Sequence, residues 1–170
     1  MKKVIIEGPD GSGKTTLANE LAGRLGVKVF HSGGPVTTKS ELIERIEDQL
    51  SQRNCIIDRC SVFSEPIYGL MLRGKSLLSE KDFTYYIKKM VIDDWRVVYC
   101  DGDGEIEKGK EWKDQLHMKM VTKNRSSIDL SYHIIMARAY LLGIKIRGWD
   151  FNHMKDDAEI HYKWMVWEYE

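Results

Sequence analysis

The segment Gly8–Thr15 constrains this chain more than any other part of its sequence. It matches the pattern G-x-x-x-x-G-K-[ST], in which glycines let the backbone curl until successive N–H groups point at a bound phosphate. The apolar run Val4–Ile6 precedes it and leucines at helical spacing follow it, so a strand, the loop and a helix are predicted in that order. The residues expected to surround the phosphates are Gly8, Asp10, Gly11, Ser12, Gly13, Lys14, Thr15 and Thr16.

The chemistry of this loop predicts a nucleoside triphosphate and a magnesium ion as ligands. Lys14 is expected to reach the β- and γ-phosphates, and the Thr15 hydroxyl is expected to coordinate Mg²⁺. A later apolar run, Cys55–Asp58, ends in a carboxylate, and an acid at such a strand end commonly lies beside the metal. Thr15 and Asp58 are therefore the predicted metal ligands. The next residue, Arg59, falls at the sheet edge where ligands bind, so a functional role is a better interpretation than a surface ion pair.

Length and composition restrict the class of protein. The 170 residues suffice for one domain, 1–170, with a real hydrophobic core. Lys plus Arg and Asp plus Glu each number 26, so no net charge favours nucleic acid or a membrane as the partner. No apolar run approaches the length of a membrane span, and no signal peptide is recognisable. Three cysteines without paired spacing favour free thiols in a reducing cytoplasm over disulfides or a zinc site.

Hydrophobic patterns along the chain predict an open α/β sandwich. Apolar runs of strand length alternate with amphipathic helices in the order β-α-β-α-β-α-α-β-α-α-β-α. This order predicts the three-layer sandwich of P-loop NTPases, with a five-stranded, mostly parallel sheet and helices on both faces. The fifth strand is predicted at residues 144–146. A last helix is predicted to begin near Asp156 and to bury Ile160, Trp164 and Trp167.

The segment 102–125 has the least regular pattern and two interpretations. It is a solvated loop followed by a polar helix, or it is a lid that folds a cation over the phosphates, as many phosphotransferases require. Its composition does not decide between them, and no single residue stands out as the catalytic cation. The candidate cations of this segment are Lys108, Lys110, Lys113, Lys119, Lys123 and Arg125.

Two other classes of phosphate-loop protein are disfavoured. Asp101 and Gly104 form the DxxG pattern of GTPases, but they follow the fourth predicted strand and no NKxD guanine signature appears. The run 122–125 lacks the acid that would pair with guanine. ATPase motors and transporters usually need larger machinery than one domain of this length. A small phosphotransferase is the interpretation that remains.

Three separated groups of residues resemble the thymidylate kinase family of nucleoside monophosphate kinases. They are the segment Glu7–Leu17, the loop His31–Pro35, and the segment Asp58–Gly69 with its Asp-Arg, Ser-Glu and Tyr-Gly pairs. Their spacing is most similar to that of the short, phage-type members. The resemblance follows the element order through most of the chain. Its specific motifs are confined to these three segments, with a weaker similarity at Asp150.

The resemblance implies transfer of the γ-phosphoryl group of ATP to a deoxynucleoside 5′-monophosphate, with Lys14, Asp58 and Arg59 as catalytic residues. It also implies that Asp10 accepts a hydrogen bond from the sugar 3′-hydroxyl and that Arg59 binds the acceptor phosphate. Mg²⁺ is the implied cofactor, ATP and a small nucleotide are the implied partners, and a homodimer is compatible with it. The residues expected to contact the acceptor are Asp10, Arg59, Ser64, Glu65, Tyr68 and Arg73.

Departures from the family pattern bear on the acceptor. Family members often carry Arg-Glu-Pro-Gly-Gly after the second strand, whereas the loop His31–Pro35 lacks that arginine. The phosphate loop has Gly11 and Ser12 where some members place an arginine, so the transition-state cation is expected from the candidate lid. The expected acceptor is dTMP or a modified pyrimidine nucleotide. One alternative acceptor is a deoxynucleoside, and another is a nucleotide base or end within DNA. The neutral net charge of the chain disfavours DNA, but the basic residues of the candidate lid keep this alternative open.

Overall fold

The computed structural model describes residues 3–101 and 115–149. Five strands in these ranges form one sheet in the order β2-β3-β1-β4-β5, and every neighbouring pair is parallel. The predicted P-loop NTPase sandwich is therefore confirmed. The strands are β1 Lys3–Glu7, β2 Lys28–His31, β3 Cys55–Asp58, β4 Arg96–Cys100 and β5 Lys145–Trp149.

Six helices connect these strands within the described residues. Two of them begin at capping boxes, which the spacing [ST]-x-x-[DE] already predicts in the sequence. Thr38 and Glu41 form the first at the start of α2, and Ser79 and Asp82 form the second at the start of α4. The glycine Gly26 ends α1 in the left-handed conformation. The helices are α1 Lys14–Leu25, α2 Lys39–Ser51, α3 Ser61–Arg73, α4 Glu80–Ile92, α5 Gln115–Lys123 and α6 Arg125–Leu141.

The central strands are apolar on both faces, and each face carries its own hydrophobic cluster. Val4 and Ile6 of β1 pack with the buried side of α1, whereas Ile5 packs with residues of α2, α3, α4 and α6. This division follows from the strand order. The β1–β2 crossover runs across the sheet in one direction and the later crossovers run in the other, so right-handed connections place their helices on opposite faces.

The same strand order determines where a ligand can bind. Because all strands are parallel, the carboxyl ends of β1, β2 and β3 meet at one edge of the sheet. The crossover direction reverses here, and open α/β sheets bind their ligands outside the carboxyl ends at such a point. Glu7, His31 and Asp58 are the last residues of these three strands, and the phosphate loop starts directly after the first.

Two sequence predictions about the ends of the chain have different outcomes. The fifth strand begins at Lys145 and extends to Trp149, so it is longer than the predicted run 144–146 and pairs with the whole of β4. The predicted last helix lies outside the described residues. Within 3–101 and 115–149, no helix combines the length and the apolar character needed to cross a lipid bilayer.

Candidate active site

Glycines shape the loop between β1 and α1. Gly8 has φ +150°, and a Cβ at this position would lie 2.3 Å from the carbonyl oxygen of Cys100. Gly13 has φ +79° and precedes α1, whose first turn receives no hydrogen bond from a side-chain cap. Uncapped N–H groups at a helix start, together with the positive end of the helix dipole, bind anions. The start of α1 therefore has the uncapped N–H groups and the dipole that suit an anion.

Lys14 is buried within this loop. Its ammonium group donates a hydrogen bond to the carbonyl oxygen of Pro9. Burial, reinforced by the nearby guanidinium of Arg59, lowers the pKa of Lys14 to about 8, although Asp10 and Glu7 act in the opposite direction. A negative charge bound at the loop would stabilise the charged ammonium group and raise the pKa of Lys14 again. The position suits a cation that binds a triphosphate.

The two predicted metal ligands lie together. The Thr15 hydroxyl donates a hydrogen bond of 2.8 Å to Oδ2 of Asp58, and Nδ1 of His31 lies 3.2 Å from the same oxygen. No cluster of three or more His, Cys, Asp or Glu side chains arranged to hold a metal occurs in the part of the chain that the structure describes. Magnesium in nucleotide enzymes needs no such cluster, because phosphate oxygens and water supply most of its ligands. The paired oxygens of Thr15 and Asp58 fit this mode of binding.

Arg59 lies between the phosphate loop and α3. Its guanidinium forms an ion pair with the Asp10 carboxylate and lies 5.1 Å from the centre of the Tyr68 ring. The Tyr68 hydroxyl donates a 2.9 Å hydrogen bond to the other Asp10 oxygen. Burial disfavours the charged guanidinium, but Tyr132 and Asp10 outweigh it and raise the pKa of Arg59. The arginine therefore stays charged, and its guanidinium is positioned by the Asp10 carboxylate and the Tyr68 ring.

Glu7 is a site residue that the sequence reasoning did not identify as functional. Its side chain is fully buried, and it accepts hydrogen bonds from the backbone N–H groups of Gly8, at 3.3 Å, and of Cys60. Burial raises the pKa of Glu7 to about 7, although Arg59 and Lys14 act in the opposite direction. An acid at the end of a buried strand, directly before the glycine loop, was the available signal in the sequence.

A pocket with a volume of about 290 Å³ opens beside Arg59, between α3 and the loop that follows β2. Glu65 and Arg73 form an ion pair along one wall. Glu65 also accepts a 2.8 Å hydrogen bond from the N–H of Leu77, and Arg73 donates a 3.2 Å bond to the Val36 carbonyl. The polar side chains that line the pocket are Ser32, Arg45, Arg59, Ser61, Ser64, Glu65, Tyr68 and Arg73.

The candidate lid contributes one described cation to the site. Arg125, the first residue of α6, donates a hydrogen bond to the Asp10 carbonyl and lies 3.0 Å from the Asp129 carboxylate. Lys119 and Lys123 are exposed. Lys108, Lys110 and Lys113 lie outside the described residues.

The structure brings the predicted site residues together at one edge of the sheet. The phosphate loop, Asp58 and Arg59 surround the anion site, while Ser64, Glu65, Tyr68 and Arg73 line the adjoining pocket. Asp10 joins the two, because its carboxylate binds Arg59 and Tyr68 from within the phosphate loop. Besides Glu7, the polar side chains that the sequence reasoning did not assign to this site include Ser32, Arg45 and Ser61 of the pocket lining, and Gln49, which bonds the backbone of Arg59.

Comparisons with known proteins agree with the fold described above. The family model described as ATPase family associated with various cellular activities (AAA) matches residues 4–63, the stretch from β1 to the start of α3. The YorR protein from Bacillus subtilis, solved in complex with phosphorylated GDP, is 24% identical, with a TM-score of 0.75 and 98% of each chain covered. Deoxyadenosine kinase from M. mycoides with bound dCTP is 18% identical, with a TM-score of 0.63, covering 96% of this chain and 98% of that one. The parallel sheet, the phosphate loop and these similarities show that the chain has the P-loop NTPase fold also found in deoxyadenosine kinase.

Proposed function

We propose that this protein is a kinase that transfers the γ-phosphoryl group of ATP to the 5′-phosphate of a deoxynucleoside monophosphate. The observation that carries the proposal is the charge of the pocket. Arg45, Arg59 and Arg73 line it, and Glu65, which is paired with Arg73, is the one carboxylate among its described lining residues. An acceptor that brings its own negative charge is favoured by such a lining, because guanidinium groups bind phosphate in two-point contacts.

The residues around the phosphate loop have separate tasks in this reaction. Lys14 and the start of α1 would bind the β- and γ-phosphates, and Thr15 with Asp58 would hold Mg²⁺, which would neutralise part of the phosphate charge. Arg125 lies against the loop backbone and supplies the positive charge expected from the candidate lid. Two polyanions must approach each other in line, so this concentration of positive charge lowers the barrier by reducing their repulsion.

Arg59 aligns the acceptor in the proposed reaction. An oxygen of the acceptor phosphate forms a bond to the γ-phosphorus while the bond from that phosphorus to the β,γ-bridging oxygen breaks, and ADP leaves. The attacking phosphate oxygen is already anionic, so the step needs no strong base. Asp10 is proposed to accept a hydrogen bond from the sugar 3′-hydroxyl, as the family resemblance implies. dTMP or a modified pyrimidine nucleotide is the proposed acceptor.

A deoxynucleoside kinase is the second candidate, and the similarity to deoxyadenosine kinase favours it. A nucleoside 5′-hydroxyl must lose its proton during attack, so this activity needs a carboxylate base beside it. Glu65 is the available carboxylate among the described pocket residues, and it is already bound to Arg73 and to the N–H of Leu77. The pocket chemistry therefore favours the monophosphate acceptor.

An acceptor screen with Arg59→Ala tests both candidates. Deoxynucleosides, their 5′-monophosphates and short oligonucleotides are each incubated with Mg²⁺ and γ-labelled ATP. We expect the monophosphates to be the best acceptors. We expect Arg59→Ala to lower kcat/KM for them by about 30-fold to 1,000-fold, equivalent to roughly 2–4 kcal/mol. The matched control is Arg24→Ala, since Arg24 pairs with Glu20 on the exposed side of α1.

Three outcomes would contradict the proposal. A nucleoside accepting phosphate better than its monophosphate would favour the second candidate. An oligonucleotide as the best acceptor, with activity that falls steeply as salt rises, would indicate a DNA kinase. Equal losses in Arg59→Ala and Arg24→Ala would remove Arg59 from the acceptor site.

A further inference from the structure

The turn between β3 and α3 holds Arg59 in an unusual backbone conformation. Arg59 has φ +69°, in the left-handed region that non-glycine residues rarely adopt. Such a conformation persists only where the surrounding structure determines it, and it is common where a side chain must be aimed at a ligand. The backbone of this turn therefore needs specific partners.

Two fully buried polar side chains supply most of these partners. Gln49 of α2 donates a 3.2 Å hydrogen bond from Nε2 to the Arg59 carbonyl and accepts a 3.0 Å bond at Oε1 from the N–H of Ser61. Glu7 of β1 accepts a hydrogen bond from the N–H of Cys60, the residue between Arg59 and Ser61. The N–H of Arg59 itself donates a 3.0 Å bond to the carbonyl of Ile6. Both Gln49 and Glu7 have 0% exposure.

We propose that Gln49 and Glu7 are positioning residues that hold the turn 59–61 so that the Arg59 guanidinium reaches Asp10 and the acceptor pocket. This inference deepens the proposed function, because it rests on Arg59 as the ligand of the acceptor phosphate. Neither side chain lines the pocket among the described residues, so both act on the acceptor through the backbone of Arg59.

The two positioning residues connect three parts of the site. Glu7 also accepts a hydrogen bond from Gly8, so the same carboxylate binds the start of the phosphate loop and the Arg59 turn. Gln49 lies on α2, the helix whose Leu42 and Arg45 line the pocket. The distance between the donor phosphates and the acceptor phosphate is therefore set by side chains that contact neither ligand. An apolar side chain of equal size at position 49 would remove the hydrogen bonds to the partly buried Arg59 carbonyl and to the buried N–H of Ser61.

The test uses Gln49→Met, which keeps the size and removes both hydrogen bonds, and Gln49→Glu, which keeps the acceptor for Ser61. Leu50→Ala is the matched control, since it removes buried volume from the same helix without touching these hydrogen bonds. Three quantities are measured: the steady-state constants for the monophosphate and for ATP, the melting temperature, and the side-chain Nε–Hε NMR signal of Arg59. That signal is assigned by its loss in Arg59→Lys.

We expect Gln49→Met to lower kcat/KM for the monophosphate by between about tenfold and a hundredfold while the KM for ATP changes by about twofold or less. We expect Gln49→Glu to restore part of the loss. The Arg59 signal should move toward that of a solvated arginine in Gln49→Met and stay unchanged in Leu50→Ala. If Gln49→Met does not fold, Gln49→Glu must show the same selective effect in smaller measure.

Two results would overturn the inference. One is an unchanged Arg59 signal with unchanged acceptor kinetics in both Gln49 variants, and the other is an equal acceptor defect in Leu50→Ala. A failure of the proposed function can be distinguished from both of these results. In that case the wild-type protein phosphorylates no monophosphate, but the Arg59 signal still reports whether Gln49 positions the arginine.

Discussion

Glu7 shows how burial at the end of a strand changes the chemistry of one side chain. The carboxyl group is enclosed at the carboxyl end of β1, and this enclosure raises its pKa from 4.5 to about 7, despite the attraction of Arg59 and Lys14. A raised pKa means that the folded protein binds this proton more tightly than the unfolded chain does. Protonation of Glu7 therefore stabilises the fold fully below about pH 4.5, and this contribution is lost as the pH rises through about 7.

The first residue-scale prediction is a pH-dependent stability difference between the wild type and Glu7→Gln. The variant cannot ionise, so its free energy of unfolding lacks this proton linkage. We expect the wild type to lose roughly 2–3 kcal/mol relative to Glu7→Gln between pH 4.5 and pH 7, with little further change above that range. Urea unfolding at a series of pH values measures the difference. A difference that stays constant across this window would show that Glu7 is not a buried acid with a raised pKa.

Helix α3 illustrates how one element serves both the core and the pocket. Phe63 and Ile67 are buried on its core side, while Glu65 and Arg73 pair across the helix surface beside the pocket. Gly69 lies between the two charged residues. A Cβ there would come within 2.3 Å of the Glu65 carboxylate and 2.6 Å of the Arg73 guanidinium. The ion pair, rather than the backbone conformation, therefore favours glycine at this position.

The element-scale prediction is that Gly69→Ala weakens acceptor binding more than it weakens the fold. The methyl group must displace the Glu65–Arg73 pair, while alanine favours the helix over glycine by about 1 kcal/mol and offsets part of the strain. We expect the KM for the acceptor to rise by roughly threefold to tenfold, with the KM for ATP unchanged. Steady-state kinetics with each substrate varied in turn makes the comparison.

Gly23→Ala is the control at the same scale. Gly23 is exposed on α1, and a Cβ there would meet no atom within 4 Å. It should stabilise the protein by about 0.5–1 kcal/mol and leave both KM values as they are. An acceptor KM for Gly69→Ala equal to that of Gly23→Ala would mean that the Glu65–Arg73 pair does not contribute to the pocket.

At the scale of the whole molecule, the anion site connects both faces of the sheet. The phosphate loop joins β1, at the centre of the sheet, to α1 on one face, and Arg125 of α6 reaches the same loop from the other face. A triphosphate bound there contacts both layers. Binding to the folded state alone shifts the folding equilibrium by mass action.

The molecule-scale prediction concerns thermal stability with a non-hydrolysable ATP analogue and Mg²⁺. At a free concentration of about 100 times Kd, the analogue should add about 2.7 kcal/mol and raise Tm by roughly 5–10 °C. Lys14→Ala should abolish most of this shift while the ligand-free protein still melts cooperatively. Lys28→Ala is the control, since Lys28 is exposed at the amino end of β2, the opposite edge of the sheet. A full shift in Lys14→Ala would refute the assignment of the phosphate loop.

Local sequence patterns were sufficient for most of the fold and for locating the glycine loop within it. The glycine loop, the preceding strand and the following helix are contiguous, so the steric demands of glycine and the helical spacing of leucine identify them without tertiary information. The acid after a strand and the capping boxes at Thr38 and Ser79 are equally local signals, and the structure shows them where the sequence predicts them. The last strand was predicted too short, because its length depends on pairing with β4.

The tertiary structure alone decided which distant side chains meet. Arg125 reaches the carbonyl of Asp10 across 115 positions of sequence, and Gln49 reaches the backbone of Arg59 from another helix. No periodicity or motif specifies such contacts, since they depend on strand order and on the faces to which right-handed crossovers deliver each helix. The tertiary structure also determined the chemistry of Glu7, because its raised pKa comes from its enclosure between the phosphate loop and the Arg59 turn. The sequence by itself therefore determined the glycine loop and the layered sheet, and only the folded chain determined how Arg59, the proposed ligand of the acceptor phosphate, is held beside them.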